Sequence, residues 1–156
     1  MSYEISTDPT RLDRELIHRF LSEHAYWAKG RSREIVDRGI DHSMPFGLYD
    51  ARGEQVGFAR VVTDRCTFAW IADVFVMPEH RGQGLGKRLI AAIMDHPELR
   101  VMGRWFLGTA DAHGLYSRYG FVPLERVERF MVRERPIDPG HARPSGSEDG
   151  AERVER

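Results

Sequence analysis

A mixed α/β fold is predicted by three features of the sequence. Residues 46–76 read as a meander of strands. Residues 68–90 read as a strand that runs through a glycine-alternating turn straight into an amphipathic helix, and residues 104–107 read as another apolar strand beyond that helix. Antiparallel neighbours followed by strand, helix, strand imply one mixed, mostly antiparallel sheet with helices packed against it.

Each element has its own signals. Thr7-Asp8-Pro9 offers a cap and a proline suited to a first turn, and Leu12, Leu16, Ile17, Phe20 and Leu21 follow at helical spacing, so a helix is expected over about residues 9–23. Residues 25–30 break that pattern and concentrate two aromatics, Tyr26 and Trp27. Ser32 is placed to cap a short second helix through Arg38, with Gly39 ending it. Residues 46–49, 50–54 and 55–62 read as strand, turn and strand, and 63–65 lead into a strand from Cys66 through Val76.

In the helix that follows, Leu85, Leu89, Ile90, Ile93 and Met94 share one face, and Pro97 cannot continue it. Beyond the strand at 104–107, Asp111 or the residue before it starts another helix, and Gly120 is placed for a left-handed cap after Tyr119. Residues 121–122 and 126–132 would be closing strands. Residues 1–135 are expected to form one domain. From 136 onward Pro, Gly, Ser and charges dominate, and 136–156 is expected to be a poorly ordered tail.

The composition is that of an ordinary globular chain, 41% hydrophobic and 30% charged over 156 residues. Lys and Arg number 23 against 24 Asp and Glu, so no global field draws nucleic acid or an anionic membrane, and neither is expected as a partner. Basic and aromatic residues interleave over 100–106, but Trp105 and Phe106 sit in an expected buried strand. The single cysteine, Cys66, expected to be half-buried in a strand, excludes an internal disulfide and a cysteine metal cluster. The histidines are isolated, so no metal is expected. The first residues show no basic and apolar leader, and no apolar run approaches the roughly 18 residues of a membrane span. A cytoplasmic location is expected.

The glycine turn carries the chemistry. At the start of a helix the first N–H groups lack intrahelical partners and carry the positive end of the macrodipole, which favours an anion there. Gly82, Gly84 and Gly86 let the backbone come close to that anion and can take positive φ, while Arg81 and Lys87 add charge on either side. This is a pyrophosphate cradle. It is not a P-loop, which needs glycine at Arg81 and Ser or Thr at Arg88, nor the dinucleotide fingerprint, which needs glycine at Lys87.

Val76-Met77-Pro78 followed by Arg81-Gly82-Gln83-Gly84-Leu85-Gly86 resembles the acyl-coenzyme A loop of the GNAT superfamily of N-acetyltransferases, (Arg/Gln)-x-x-Gly-x-(Gly/Ala) after Val-x-Pro. Residues 109–121, ending Leu115-Tyr116-Ser117-Arg118-Tyr119-Gly120-Phe121, resemble the later segment of the same family, Leu-Tyr-x-x-x-Gly-Phe. The resemblance covers roughly residues 45–132. It implies a central mixed sheet of about six or seven strands, a splayed parallel pair at its centre and helices on both faces.

It also implies a use for each residue. Acetyl-CoA would be the acyl donor, its phosphates on Arg81, Gly82, Gln83, Gly84, Leu85, Gly86 and Lys87 and its pantetheine arm along the backbone of Val74, Phe75 and Val76 like an added strand. Thr109 stands where many relatives carry Asn reaching the cofactor, and Thr retains one donor. Tyr116 occupies the place of the family's general acid, which protonates the departing thiolate. Asp73, a carboxylate in an apolar strand, is the leading candidate for general base, with a structural hydrogen bond to a neighbouring loop as the competing role. His113, Glu79 and His80 are secondary candidates.

Tyr26 and Trp27 are candidates to line the acceptor site. The expected activity is direct transfer to a primary amine of a small molecule. A protein or peptide acceptor, and a non-catalytic acyl-CoA-binding regulatory module, remain open alternatives. Dimers are common among proteins of this resemblance, and the sequence leaves the oligomeric state open.

Overall fold

A computed structural model describes residues 2–134 of the chain. The strands are β1 (Glu4–Ser6), β2 (Met44–Tyr49), β3 (Gln55–Thr63), β4 (Ala69–Val76) and β5 (Trp105–Phe106). The helices are α1 (Arg14–Glu23), α2 (Arg33–Asp41), α3 (Leu85–Asp95) and the single turn α4 (His113–Tyr116). The sheet order is β1-β2-β3-β4-β5, antiparallel up to β4 and parallel between β4 and β5. Mixed α/β architecture is therefore what the chain adopts, with five strands among the described residues. The expected tail over 136–156 lies outside the described residues. No helix among those described is long and apolar enough to cross a membrane.

Several boundaries differ from expectation, each for a local reason. The first helix is two pieces: Asp8 caps a 3-10 turn, Pro9–Arg11, and Asp13 then caps α1 by accepting the Leu16 N–H at 2.9 Å. Gly39 does not end α2, which runs on to Asp41. The strand expected from Cys66 begins only at Ala69, because the Asp64 carboxylate gathers the N–H groups of Cys66, Thr67 and Phe68 at 2.8–3.1 Å and withholds them from the ladder. Cys66 is consequently exposed in a turn and not half-buried in a strand. Trp105 and Phe106 are half-buried rather than buried. The closing strands do not form: Val127–Arg129 is a 3-10 turn, and Val122, Val127, Met131 and Val132 are exposed.

Apolar cores cover both faces of the sheet. Leu89, Ile90 and Ile93 of α3 pack on Phe46, Ala59, Val61, Ala69 and Ile71. On the other face Ile17, Phe20 and Leu21 of α1 and Val36 and Ile40 of α2 pack on Phe58 and Phe75. Ile71 and Phe75 would share a face in a regular strand, yet they belong to opposite cores.

The cause is a β-bulge. Phe58 pairs with Phe75 and Arg60 with Ala72, which leaves Asp73 and Val74 both opposite Ala59. Asp73 takes φ +53°, a left-handed conformation that costs a non-glycine residue about 1–2 kcal/mol. The bulge reverses the alternation, turning Asp73 and Phe75 toward α1 and α2 and Val74 and Val76 toward α3.

Candidate active site

β4 is paired along one edge and largely open along the other. With β3 it is in register from Ala69 to Val76, whereas β5 meets it only at Ala69 and Trp70. Past Trp70 the parallel pair splays, and the backbone of residues 71–76 has no strand on that side among the described residues. An extended ligand carrying amide groups can use such an edge as a further strand would. Phe75 offers only its backbone there, because its ring is buried and stacked on Phe20 with centroids 3.9 Å apart.

At the end of this edge the chain makes a short 3-10 turn, Pro78–His80, and enters α3 through glycines. Gly82 and Gly84 have φ of +77° and +74°, and Gly84 caps α3 with no side chain on the first-turn N–H groups. Among the described residues, no atom beyond the adjoining residues lies within 4 Å of where a Cβ would stand at either glycine. Arg81, Lys87 and Arg88 are exposed around this opening. A bare helix N-terminus, two left-handed glycines and a ring of cations form a donor set suited to a pyrophosphate.

Contacts refine the expected roles in this loop. The Val76 carbonyl already accepts Arg81 Nε–H at 2.9 Å, so Arg81 folds back on the strand end. The exposed Gln83 uses its side chain within the loop, donating to the His80 carbonyl and accepting the Tyr3 hydroxyl. Leu85 is buried and anchors the helix. Arg88 donates to the Tyr3 carbonyl at 2.8 Å and ties α3 to the residue that leads into β1, a link that no spacing in the sequence announces.

In the segment after β5, Tyr116 is buried against the α3 core, its ring edge-to-face with Phe121. Its hydroxyl has no hydrogen-bond partner among the described residues. Burial, joined by the Tyr26 hydroxyl and the Asp111 carboxylate, raises its pKa above the ordinary phenol value and keeps it protonated. Thr109 accepts the Ala112 N–H at 3.0 Å and keeps its own hydroxyl hydrogen to donate.

On the opposite face of the bulge stand the two aromatics and Asp73. Tyr26 and Trp27 are edge-to-face with centroids 5.0 Å apart. The Tyr26 hydroxyl accepts the Ala110 N–H at 3.0 Å, bridging the α1–α2 connection to the loop before α4, and Trp27 Nε1–H donates to Asp73 at 3.0 Å.

Asp73 also receives Arg31 at 3.1 Å and Arg60 at 2.6 Å. Burial alone would push its carboxyl up; the Arg60 and Arg31 charges, with hydrogen bonds from Arg60 and Trp27, outweigh that and hold it below the ordinary carboxylate value. Arg31 and Arg60 were not legible as site residues, because they are brought to Asp73 by the α1–α2 connection and by β3 pairing. The cleft beside them, about 280 Å³, is lined by Arg31, Ile35, Val36, Gly39, Arg60 and Asp73.

Comparison with known proteins identifies the family. The family model described as an acetyltransferase (GNAT) domain matches residues 42–123, more than half of the chain. A Gibberella zeae protein named as an acetyltransferase is 31% identical over 138 residues, covering 74% of this chain and 76% of that protein. A mycothiol acetyltransferase of Saccharopolyspora erythraea is 30% identical over 119 residues, covering 67% of this chain and only 38% of that longer protein. The crystal structure of a protein assigned as a GNAT-family acetyltransferase from Xanthomonas campestris pv. campestris superposes with a TM-score of 0.83 at 48% identity, covering 90% of this chain and 96% of that one. With its glycine-capped helix, its splayed strand pair and these relatives, the chain belongs to the GNAT acetyltransferase family and is an acyltransferase.

Proposed function

We propose that the protein transfers the acetyl group of acetyl-CoA directly to a primary amine of a small molecule. The observation that carries this reading is the open edge of β4 leading to the N-terminus of α3, together with a buried Tyr116 whose raised pKa keeps it protonated and whose hydroxyl has no partner among the described residues. Gly82, Gly84, Gly86 and the cations Arg81 and Lys87 would hold the diphosphate, and the backbone of Val74 to Val76 the pantetheine arm. When bound, acetyl-CoA supplies an activated acetyl thioester.

The remaining work falls to side chains. Tyr116 donates its proton where thiolate charge develops; a phenol in an apolar pocket suits this because burial disfavours its anion until it is needed. Backbone N–H groups on the open edge donate to the developing oxyanion. Asp73 is a poor proton acceptor, since two guanidiniums and an indole engage its oxygens. We read it as a positioning residue that fixes the α1–α2 connection to the bulge. The cleft of about 280 Å³ suits a small acceptor. An exposed lone thiol at Cys66 suits a reducing compartment, the cytoplasm.

Thiol release from acetyl-CoA across amines, amino acids, polyamines and peptides tests the reading. Turnover with small amines is expected. Acetyl-CoA binding without transfer to any acceptor would replace the reading with a regulatory module, and turnover of peptides alone would change the acceptor class.

A further inference from the structure

Two guanidiniums serve one carboxylate in the cleft behind the bulge. Arg31 Nη1 reaches both oxygens of Asp73 at 3.1 Å, and Arg60 donates through Nε to Asp73 at 2.6 Å and through Nη1 to Ser43 Oγ at 3.0 Å. A guanidinium carries five N–H donors. Among the described residues, Nε and Nη2 of Arg31 and Nη2 of Arg60 have no acceptor.

The charge is equally unbalanced: two cations against one anion leave a net positive charge. The Asp73 side chain is 4% exposed and those of Arg31 and Arg60 are 23% and 18%, so solvent reaches the arginines through the cleft and hardly reaches the acid. Ile35, Val36 and Gly39 form the apolar side of the same cleft. Gly39 lies inside α2, where glycine is unfavourable, and a Cβ there would stand 3.6 Å from Arg60 Cζ. Holding Asp73 in place needs one forked guanidinium; the second, half-sheltered and under-used, is stabilised by an arriving anion.

We propose that Arg31 and Arg60 receive a carboxylate of the acceptor, so that the acceptor class is a small primary amine carrying a carboxylate, amino acids among them. A single net positive charge matches a monoanion, and a dianionic phosphate would leave the cleft negative. Trp27, bonded to Asp73, and Tyr26, edge-to-face with Trp27 and bonded to the Ala110 N–H, are both exposed and link this anchor to the loop before α4. The inference rests on the acetyl-transfer reading above, and it adds which amines are taken.

The test compares each common amino acid with its decarboxylated amine and with 2-aminoethyl phosphate, by kcat/KM from thiol release. Binding of the N-acetylated forms of the same pairs is measured by calorimetry. Both are run in wild type, Arg31→Gln and Arg31→Lys. Asp73 retains Arg60 and Trp27 in both variants, which keeps its carboxylate partnered.

A preference of at least about tenfold for the carboxylated partner is expected in wild type, collapsing toward unity in Arg31→Gln and partly kept in Arg31→Lys. Turnover with no carboxylate preference, a preference unchanged in Arg31→Gln, or a preference for the phosphate overturns the proposal while leaving acetyl transfer intact. Arg31-dependent binding of N-acetyl amino acids without any turnover would do the reverse, sustaining the anion site and removing the acetyl-transfer reading.

Discussion

The two edges of β4 have opposite fates. Toward β3 every residue from Ala69 to Val76 lies in the ladder, interrupted only by the bulge, and the side chains beyond it belong to closed cores on both faces. Toward β5 the ladder ends after Trp70, and the strand's remaining backbone has no strand beside it among the described residues. One edge carries stability, and the other is the edge to which acetyl transfer is assigned in the proposal above. Asp73 joins them: its backbone makes the bulge, and its carboxylate ties β3, through Arg60, to the α1–α2 connection, through Trp27 and Arg31.

Substitutions on the open side should change turnover or ligand affinity with little effect on folding, and those on the paired side the reverse. The largest effect is expected for Tyr116→Phe. Its hydroxyl makes no hydrogen bond among the described residues, so the melting temperature should hardly move, while kcat falls by about two to four orders of magnitude with acetyl-CoA affinity unchanged. Undiminished turnover would detach the open edge from the chemistry assigned to it.

Next comes Gly84→Glu. A Cβ at φ +74° costs about 1–2 kcal/mol locally, and a carboxylate at the helix N-terminus repels the diphosphate. Acetyl-CoA binding measured by calorimetry should weaken by roughly tenfold or more.

On the paired edge, Gly57→Ala places a Cβ 2.9 Å from the Phe75 carbonyl and 3.0 Å from Leu48 Cδ2. Loss of about 1–3 kcal/mol in denaturant unfolding is expected, with kcat per folded molecule nearly retained. A larger loss of turnover than of stability would show that the two edges are not independent.

A smaller and pH-dependent effect follows from Asp73. Its folded-state pKa lies below the unfolded value, so the stability it contributes is present above about pH 4 and is lost as pH falls through the folded value. Urea midpoints should drop on acidification below about pH 4, and less steeply in Asp73→Asn. Tyr116 has the opposite sign: its pKa is raised, so its contribution is full below about pH 10 and is lost only above. Cys66→Ser, exposed and in contact with neither edge, should stay within about 0.5 kcal/mol of wild type.

Local chemistry made much of this molecule legible. The Ser32 cap, the amphipathic face of α3, the left-handed Gly84 and Gly120 and the turn at 50–54 are all dictated by residues within a few positions of one another. Other features were hidden because nearby residues do not encode them. Three residues are too few for β1 to show a period, and Asp64 looks like any turn aspartate until its three N–H partners are seen. The apolar positions over 126–132 carry a strand-like pattern, yet pairing needs a partner edge, and they form a 3-10 turn and exposed coil instead.

By itself the sequence determined the fold class, the order of most elements and the glycine-rich entry to α3, since propensity, capping and periodicity act over one or two turns of chain. Only the tertiary structure decided which face Asp73 occupies and what it touches. The bulge opposite Ala59 reverses the strand's alternation, and Arg31, Arg60 and Trp27 converge from segments 42, 13 and 46 residues away in the chain. Pairing at that range is set by the sheet register and the packing of α1 and α2, and a carboxylate held between two guanidiniums is a product of that convergence.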